Sequence, residues 1–267
     1  MNRFSKLAAR LAALLALASM SSAADTALLI GNSTYGASCG PDLEGPPFDL
    51  DMMQMMLRFS GWTIVSLNNQ TRDEILAAVL ANKPAAPSRY IIYFAGHGSV
   101  MPGDNGALVG VDCQLVTPAA FQAAVGTAKD RTLVILDSCA SGLFARAVED
   151  ANSKPGFLTA VTQDGCATKL IEGGAFTQTV VLRCGNWPGT TRTVQEIHGC
   201  LRTWYDPGGN RHRWNGSFGD WTLGSAPANG PVCFWNSGGV PCPCSNSGTG
   251  QNGCANSKMK STIKISR

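Results

Sequence analysis

Residues 90–99 read YIIYFAGHGS, and residues 132–142 read TLVILDSCASG. Each begins with a short apolar run, and runs of this length are typical of strands buried on both faces of a parallel sheet. The carboxyl ends of neighbouring strands in such a sheet open into one crevice. We therefore predict that His97, after the first strand, and Cys139, after the second, lie together in that crevice.

The rest of the chain alternates strand and helix patterns as far as residue 204. Strands are predicted at 26–30, 62–67 and 157–161, a short strand or extension at 107–111, and helices at 48–60, 71–81, 118–125, 143–149, 176–182 and 193–204. This alternation is typical of βαβ units, which give a mostly parallel sheet covered by helices. We predict an α/β fold with three layers, α/β/α, over residues 24–206.

The first 23 residues have the features of a secretory signal peptide. Arg3, Lys6 and Arg10 precede an apolar stretch at 11–20, and small residues follow at 21–23. The apolar stretch is shorter than the roughly 20 residues that a membrane span needs. We expect cleavage after this segment and a secreted or periplasmic protein without membrane attachment. A retained amphipathic anchor is the alternative.

Removal of this segment would leave a chain without net charge. The full sequence has 21 Lys and Arg residues against 18 Asp and Glu residues, and the segment holds three of the basic ones. A neutral chain has no general attraction for a polyanion, so we expect no nucleic-acid partner. The remaining length is sufficient for one α/β domain and a smaller appendage.

Ten cysteines are many for a chain of 267 residues. Four of them lie between positions 233 and 254, in a Gly-, Asn- and Ser-rich stretch at 207–267. We expect this stretch to be an irregular extension stapled by disulfides. A zinc site with four thiolates is the alternative, although the spacing is irregular. If Cys139 is free, nine cysteines remain, so at least one more is free or bonded to another chain.

Two glycines, Gly96 and Gly98, flank His97. They let the backbone turn sharply and leave the Gly98 amide free to point into the crevice. An imidazole suits proton transfer because its ordinary pKa is about 6.5. His97 could instead be a polar residue in a Gly-rich turn. The other histidines, His198 and His212, lack such flanks, and we expect them to be structural.

Cys139 lies between a predicted strand and a predicted helix. The amides at the start of that helix would lower the pKa of the thiol and favour the reactive thiolate. With the Gly98 amide, they could also hold the oxyanion that forms when a thiolate attacks a peptide carbonyl. A packing role or a disulfide is the alternative. The pairing of GHG and DSCASG at two strand ends favours a nucleophile.

Acidic residues lie close to the predicted crevice. Asp137 precedes Cys139 by two residues, so both side chains point to the same side of the strand. The Asp137 carboxylate could bind a cationic substrate side chain, cap a turn or hold the imidazole. Asp49 and Asp51 open the first long helix, where capping is the ordinary role of an acid. If either also reaches the crevice, the pocket is doubly acidic and suits Lys or Arg.

These motifs resemble those of the caspase-like cysteine peptidases, and the DSC form is most similar to metacaspases. Three further stretches resemble the family, namely ALLIGNSTYG at 27–36, LEGPPFDLDMMQMML at 43–57 and GGAFTQTVV at 173–181. One departure is Ala140, which stands where metacaspases usually have His. Many metacaspases depend on calcium, but we match no calcium-binding acidic cluster to this sequence. A role for calcium therefore rests on the resemblance alone, and we expect no required cofactor.

The resemblance implies a role for each candidate residue. Cys139 would be the nucleophile and His97 the general base and acid. The backbone amides of Gly98 and Cys139 would form the oxyanion hole. Asp137 and Asp49 would select Arg or Lys before the scissile bond, because a carboxylate pocket binds a guanidinium through charge-assisted hydrogen bonds.

We therefore predict an exported cysteine endopeptidase with a caspase-like fold and polypeptide substrates. The alternative is a secreted binding module that keeps the fold but lacks turnover. A thiol oxidoreductase is disfavoured because no CxxC sequence occurs. The sequence does not indicate an oligomeric state.

Overall fold

The computed structural model describes residues 24–37, 39–58, 60–149, 155–162, 165–167, 169–170, 173–185, 191–206 and 212–225. The predicted signal peptide at 1–23 lies outside the described residues. The same is true of the four cysteines at 233–254, so the stapled extension and its zinc alternative lie outside them too.

A six-stranded sheet forms the centre of the fold. From one edge to the other its strands are β2 (Thr63–Asn68), β1 (Thr26–Gly31), β3 (Tyr90–Ala95), β7 (Thr132–Asp137), β8 (Gly156–Thr159) and β12 (Arg213–Trp214). The first five run parallel to one another, and β12 is antiparallel to β8. The predicted mostly parallel sheet is therefore confirmed.

Helices cover both faces of this sheet. Within the described residues they are α1 (Gly45–Arg58), α2 (Arg72–Ala81), α3 (Pro118–Val125), α4 (Ser141–Glu149), α5 (Ala175–Gln178) and α6 (Val194–Trp204). A 3-10 turn, Gly126–Arg131, leads into β7, and a π-helical segment, Thr179–Gly185, continues α5.

Alternate residues of the central strands pack into two separate apolar clusters, as the twofold period of a strand requires. Leu29 and Tyr93 join side chains of α1, α5 and α6. Leu28 and Phe94 join side chains of α2, α3 and α4 on the other face. This arrangement gives the predicted three layers.

Two helices begin where the sequence predicts. Thr71 caps α2 and Thr193 caps α6, each in a reciprocal pair of hydrogen bonds with the Glu three residues later. Such a capping box satisfies two backbone donors that would otherwise lack partners at the helix start. The local sequence therefore determines these two boundaries.

Short strands complete the fold. They are β4 (Gly98–Met101), β5 (Asn105–Val109) and β6 (Leu115–Val116) in one antiparallel sheet, β9 (Lys169–Leu170) with β10 (Gly173–Gly174), and β11 (Thr191–Thr193) with β13 (Thr222–Ser225).

Strands β12 and β13 follow the domain boundary expected at residue 206. Trp221 and Leu223 are nevertheless buried in the core, and the rings of Phe218 and Trp221 stack 4.2 Å apart. Strands this short leave no periodic signal in the sequence.

Two disulfides lie within the described residues. Cys39 is bonded to Cys113, with the Cα atoms 4.9 Å apart, and Cys184 is bonded to Cys200, with the Cα atoms 5.6 Å apart. Cys139 and Cys166 are free thiols. In this part of the chain, no helix is both long enough and apolar enough to cross a membrane.

Candidate active site

The register of two neighbouring strands brings His97 and Cys139 together. Ala95, the last residue of β3, pairs with Asp137, the last residue of β7. His97 and Cys139 each follow by two residues, so they leave the sheet side by side. Both line one cavity of about 150 Å³.

Three elements and their connecting loops build this cavity. Both candidate acids line it, Asp49 from α1 and Asp137 from the end of β7, whereas Asp51 is exposed on α1. The full lining consists of Leu43, Gly45, Pro46, Asp49, Gly96, His97, Asp137, Cys139, Ala167, Gly173 and Gly174. Gly98 lies directly against the backbone of Cys139, because a Cβ atom at Gly98 would overlap the carbonyl oxygen of Cys139.

Contacts on two sides hold the ring of His97. The Nε2 atom lies 2.8 Å from the carbonyl oxygen of Pro41. A carbonyl oxygen can only accept a hydrogen bond, so Nε2 carries the hydrogen, and the neutral ring keeps its lone pair on Nδ1. Tyr35 packs on the ring at a centroid distance of 4.5 Å, and its hydroxyl accepts a 2.8 Å hydrogen bond from the His97 amide.

The thiol of Cys139 is half-buried and protonated at neutral pH. Its pKa is raised to about 11, first by burial and then by a hydrogen bond with the thiol of Cys166. A hydrogen bond from the backbone of Ala167 acts in the opposite direction but is outweighed. The lowered pKa expected from the helix start is therefore not found in the free protein. The thiol needs a base to remove its proton.

The turn after Cys139 uses one of the amides at the start of the helix. Ala140 has a φ of 53°, a left-handed conformation that is unfavourable for a residue with a Cβ atom. The Ala140 amide donates to the carbonyl of Gly165 at 3.0 Å, so it is not available to an oxyanion. Helix α4 begins one residue later, at Ser141.

Both candidate acids are buried and hydrogen-bonded. Asp137 is 6 % exposed, and its Oδ2 atom accepts hydrogen bonds from the Thr177 amide at 3.0 Å and the Thr177 hydroxyl at 2.7 Å. Asp49 is 2 % exposed, and both of its oxygens accept from the Gly174 amide, at 2.8 and 3.1 Å. These bonds fix both carboxylates at the cavity wall.

Burial makes ionisation of this pair unfavourable. The pKa of Asp49 is raised to about 8, mainly because the side chain is buried and secondly because Asp137 lies nearby. Burial also raises the pKa of Asp137, against the opposing effect of its bonds with Thr177. Two adjacent buried carboxyl groups without a cation hold on to a proton. A cation between them would favour the ionised forms.

Several residues of the site have no individual signal in the sequence. Pro41 lies in a loop outside the stretches that resemble the family, and Cys166 lies in a segment that approaches Cys139 only in the folded chain. Tyr35 belongs to the ALLIGNSTYG stretch, so the resemblance could have pointed to it. Thr177 belongs to the GGAFTQTVV stretch, and that resemblance was the one signal that could have identified it. Its hydroxyl also bonds the Tyr93 hydroxyl at 2.7 Å, so it connects Asp137 to the buried core.

The other two histidines form a separate cluster. His212 is buried, and it bonds Asp206 Oδ2 through Nδ1 at 3.2 Å and His198 Nδ1 through Nε2 at 3.0 Å. Neither histidine lines the cavity. His198 and His212 therefore lie outside the cavity, in a hydrogen-bonded cluster of their own.

The acidic side chains of the described residues do not form a calcium-binding cluster. Among the described residues, no group of three or more His, Cys, Asp and Glu side chains could hold a metal. The two cavity carboxylates already accept hydrogen bonds from Gly174 and Thr177.

Comparison with known proteins relates this site to a family. The chain is similar in fold to the crystal structure of protein GSU0716 from Geobacter sulfurreducens, with a TM-score of 0.57 and 16 % sequence identity over 77 % of this chain and 98 % of that one. No curated protein sequence matches the chain. The family model described as the caspase domain matches residues 24–217, a region that includes both strand ends of the cavity. The chain therefore belongs to the caspase domain family of peptidases.

Proposed function

We propose that this protein is an exported cysteine endopeptidase in which Cys139 and His97 form the catalytic dyad and an acidic pocket selects Arg or Lys. The observation that carries the proposal is that Cys139, His97, Asp49 and Asp137 line the same cavity. Membership of a peptidase family supports polypeptide substrates.

The first half of the reaction would be acylation of Cys139. The Nδ1 atom of His97, which keeps its lone pair, takes the proton of the thiol as the sulfur attacks the carbonyl carbon of the substrate. The amides of Gly98 and Cys139 donate to the resulting oxyanion. The His97 proton then passes to the leaving nitrogen, the peptide C–N bond breaks, and a thioester remains on Cys139.

Deacylation would reverse the roles of the same groups. His97 removes a proton from a water molecule, and the hydroxide attacks the thioester carbon. The carbon–sulfur bond breaks, the carboxylic acid product leaves, and the sulfur recovers its proton from His97. The raised pKa of the Cys139 thiol supports base-assisted attack rather than a preformed thiolate.

The acidic pair would supply the specificity. Burial raises the pKa of Asp49, and repulsion between Asp49 and Asp137 when both are ionised raises it further. A guanidinium or ammonium group that enters the cavity would neutralise the pair and replace the retained proton. An acidic side chain at the same place would be repelled, so Arg and Lys would be preferred over Asp and Glu.

Export is supported by the two disulfides of the catalytic domain, because disulfides persist mainly in oxidising compartments. The predicted signal peptide at 1–23 would direct this export. Whether the protein stays in a periplasm or leaves the cell is settled by fractionation of the producing cell.

The test compares two matched peptide reporters under mild reductant. One ends in Arg before the reporter group and the other in citrulline, which has the shape of Arg but no charge. We expect hydrolysis of the Arg reporter, at least about 100-fold weaker hydrolysis of the citrulline reporter, and loss of both in Cys139→Ala.

Controls separate the parts of the proposal. Asp51→Asn changes an exposed acid on α1, outside the cavity, and should leave the Arg preference intact. Hydrolysis that persists in Cys139→Ala would rule out this nucleophile. Equal rates on the two reporters would rule out the acidic pocket. A reduced wild type that cleaves neither reporter contradicts the enzyme and favours the binding module.

A further inference from the structure

A short segment between β1 and α1 holds the proposed base. Residues 39–43 carry the Pro41 carbonyl, which accepts the Nε2–H of His97 at 2.8 Å. Gly40 lies against the same ring, because a Cβ atom at Gly40 would be 3.2 Å from Nε2. Leu43, at the end of this segment, lines the cavity. The 39–43 segment is therefore one wall of the site.

This segment belongs to no helix or strand, so its position depends on other contacts. The Tyr35 amide donates to Asp42 Oδ1 at 2.8 Å, and the Leu43 amide donates to the Ser33 carbonyl at 2.8 Å. Both bonds return to the same connection between β1 and α1. They shape the loop, and Tyr35 and Gly36 in the same connection join it to its surroundings through hydrogen bonds alone, from the His97 amide to the Tyr35 hydroxyl at 2.8 Å and from the Gly36 amide to the Val111 carbonyl at 3.3 Å.

The disulfide between Cys39 and Cys113 attaches the 39–43 segment covalently to the turn that contains Cys113. Cys113 lies in the turn between β5 and β6, and its amide donates to the Gly110 carbonyl at 3.0 Å. The strand β5 pairs with β4, which begins directly after His97. The disulfide therefore ties the Pro41 carbonyl to the sheet that continues from His97.

We propose that the Cys39–Cys113 disulfide is a positioning element for His97. By holding the 39–43 segment, it keeps the Pro41 carbonyl on Nε2, which leaves Nδ1 as the atom that receives the proton. This inference rests on the proposed function, in which His97 is the base.

The proposal has a consequence for redox conditions. Catalysis needs Cys139 as a thiol but Cys39 and Cys113 as a disulfide. A dithiol reductant opens this disulfide by transferring two electrons and two protons to it, which gives two thiols and a cyclic disulfide of the reductant. Activity should therefore rise at low reductant, as any oxidised Cys139 is recovered, and fall at higher reductant, as Cys39–Cys113 opens.

The test removes each disulfide of the described chain in turn, in the full-length protein. Cys39→Ser with Cys113→Ser removes the proposed positioning element. Cys184→Ser with Cys200→Ser is the matched control, because that disulfide joins the π-helical segment to α6 and neither cysteine lines the cavity. Both double variants should melt at a lower temperature than the wild type.

The first readout is independent of peptide hydrolysis. Imidazole 15N NMR at pH 8.5 reports which ring nitrogen carries the hydrogen. We expect Nε2–H at His97 in the wild type and in the control, and a mixture of tautomers in the Cys39→Ser, Cys113→Ser variant. Persistence of pure Nε2–H in that variant would overturn the proposal, whether or not the protein proves to be a peptidase.

The second readout is the split between kcat and KM for the Arg reporter. Misorientation of the base should lower kcat by about tenfold or more and leave KM nearly unchanged, whereas the control should keep both values. Equal kcat values in the two double variants would overturn the proposal.

If the Cys39→Ser, Cys113→Ser variant does not fold, the test uses the wild type instead. Folded wild type is treated with increasing dithiol, each disulfide is quantified by peptide mapping, and circular dichroism follows the fold. Loss of activity that parallels opening of Cys39–Cys113 in a folded protein supports the proposal. Activity that stays constant as this disulfide opens contradicts it.

Discussion

Replacement of Asp49 by Asn should make the protein more stable at neutral pH. Asp49 is almost fully buried, and its pKa is raised from 3.8 to about 8 by burial and by Asp137. Asn has nearly the same shape, and its amide oxygen can still accept the hydrogen bond from the Gly174 amide. The substitution therefore removes the ionisable group and leaves the packing unchanged.

The size and sign follow from the difference between the folded and unfolded states. Above pH 3.8 the unfolded chain releases the Asp49 proton, whereas the folded protein keeps it until about pH 8. This contribution to stability is complete below pH 3.8 and is lost as the pH rises through 8. One pKa unit is worth 1.36 kcal/mol, so the three pH units from 5 to 8 give a ceiling of ~4 kcal/mol.

The assay is urea unfolding at pH 5, 6, 7 and 8 with the disulfides intact. We expect the wild type to lose stability over this range by about 2 to 4 kcal/mol more than Asp49→Asn does. The control is Asp51→Asn, which removes an exposed acid two residues away on the same helix. Its stability should follow the wild type at every pH.

Parallel curves for the wild type and Asp49→Asn, within about 0.5 kcal/mol at each pH, would refute the reasoning. A stability advantage of Asp49→Asn over the wild type that shrinks from pH 5 to pH 8 would show that the effect has the opposite sign. Parallel curves would mean that the Asp49 carboxyl group ionises at an ordinary pH in the folded protein.

Two further predictions concern the neighbours of the dyad and the acidic pair. Thr177→Val removes the hydroxyl bond to Asp137, and because a hydrogen bond to a charged group is worth about 1.5–3 kcal/mol, kcat/KM for the Arg reporter should fall about 10- to 100-fold. Thr179→Val, which removes only a bond to a backbone carbonyl, should have little effect, and a large loss in this control would show that the helix rather than the hydroxyl matters. Burial is the main cause of the raised Cys139 pKa and the bond with Cys166 is the second. Cys166→Ala removes that bond, so iodoacetamide should alkylate Cys139 faster at pH 8, by up to about tenfold for each pKa unit. An unchanged or slower rate, measured on the Cys139 peptide by mass spectrometry, would contradict that assignment.

Much of the fold can be predicted because its signals are local. The apolar runs of β3 and β7 are buried on both faces, so nearly every residue in them is apolar. Thr71 and Thr193 predict helix starts because each capping box lies within four consecutive residues. Where the pairing partners are distant and the strands have two to four residues, as in β12 and β13, the sequence has no periodic signal.

The residues of the candidate site also divide into those with a local sequence signal and those without one. His97 and Cys139 can be identified because each follows a recognisable strand, and parallel neighbours end at the same edge. The helix start was expected to lower the Cys139 pKa, but the net shift in the free protein is upward, because burial and the Cys166 thiol dominate. A thiol 27 positions away in the chain cannot be assigned as a neighbour from its own sequence context.

The sequence by itself determined the order of strands and helices, the two strand ends that carry an imidazole and a thiol, and the resemblance to a peptidase family. Only the tertiary structure decided which ring nitrogen of His97 carries the hydrogen, how far Asp49 and Asp137 are buried, and which cysteines pair. The physical reason is how far apart in the sequence the interacting residues lie. Strand and helix formation depends on neighbours a few residues apart, whereas the protonation of these groups depends on burial and on partners such as Pro41 and Thr177 that only folding brings into contact.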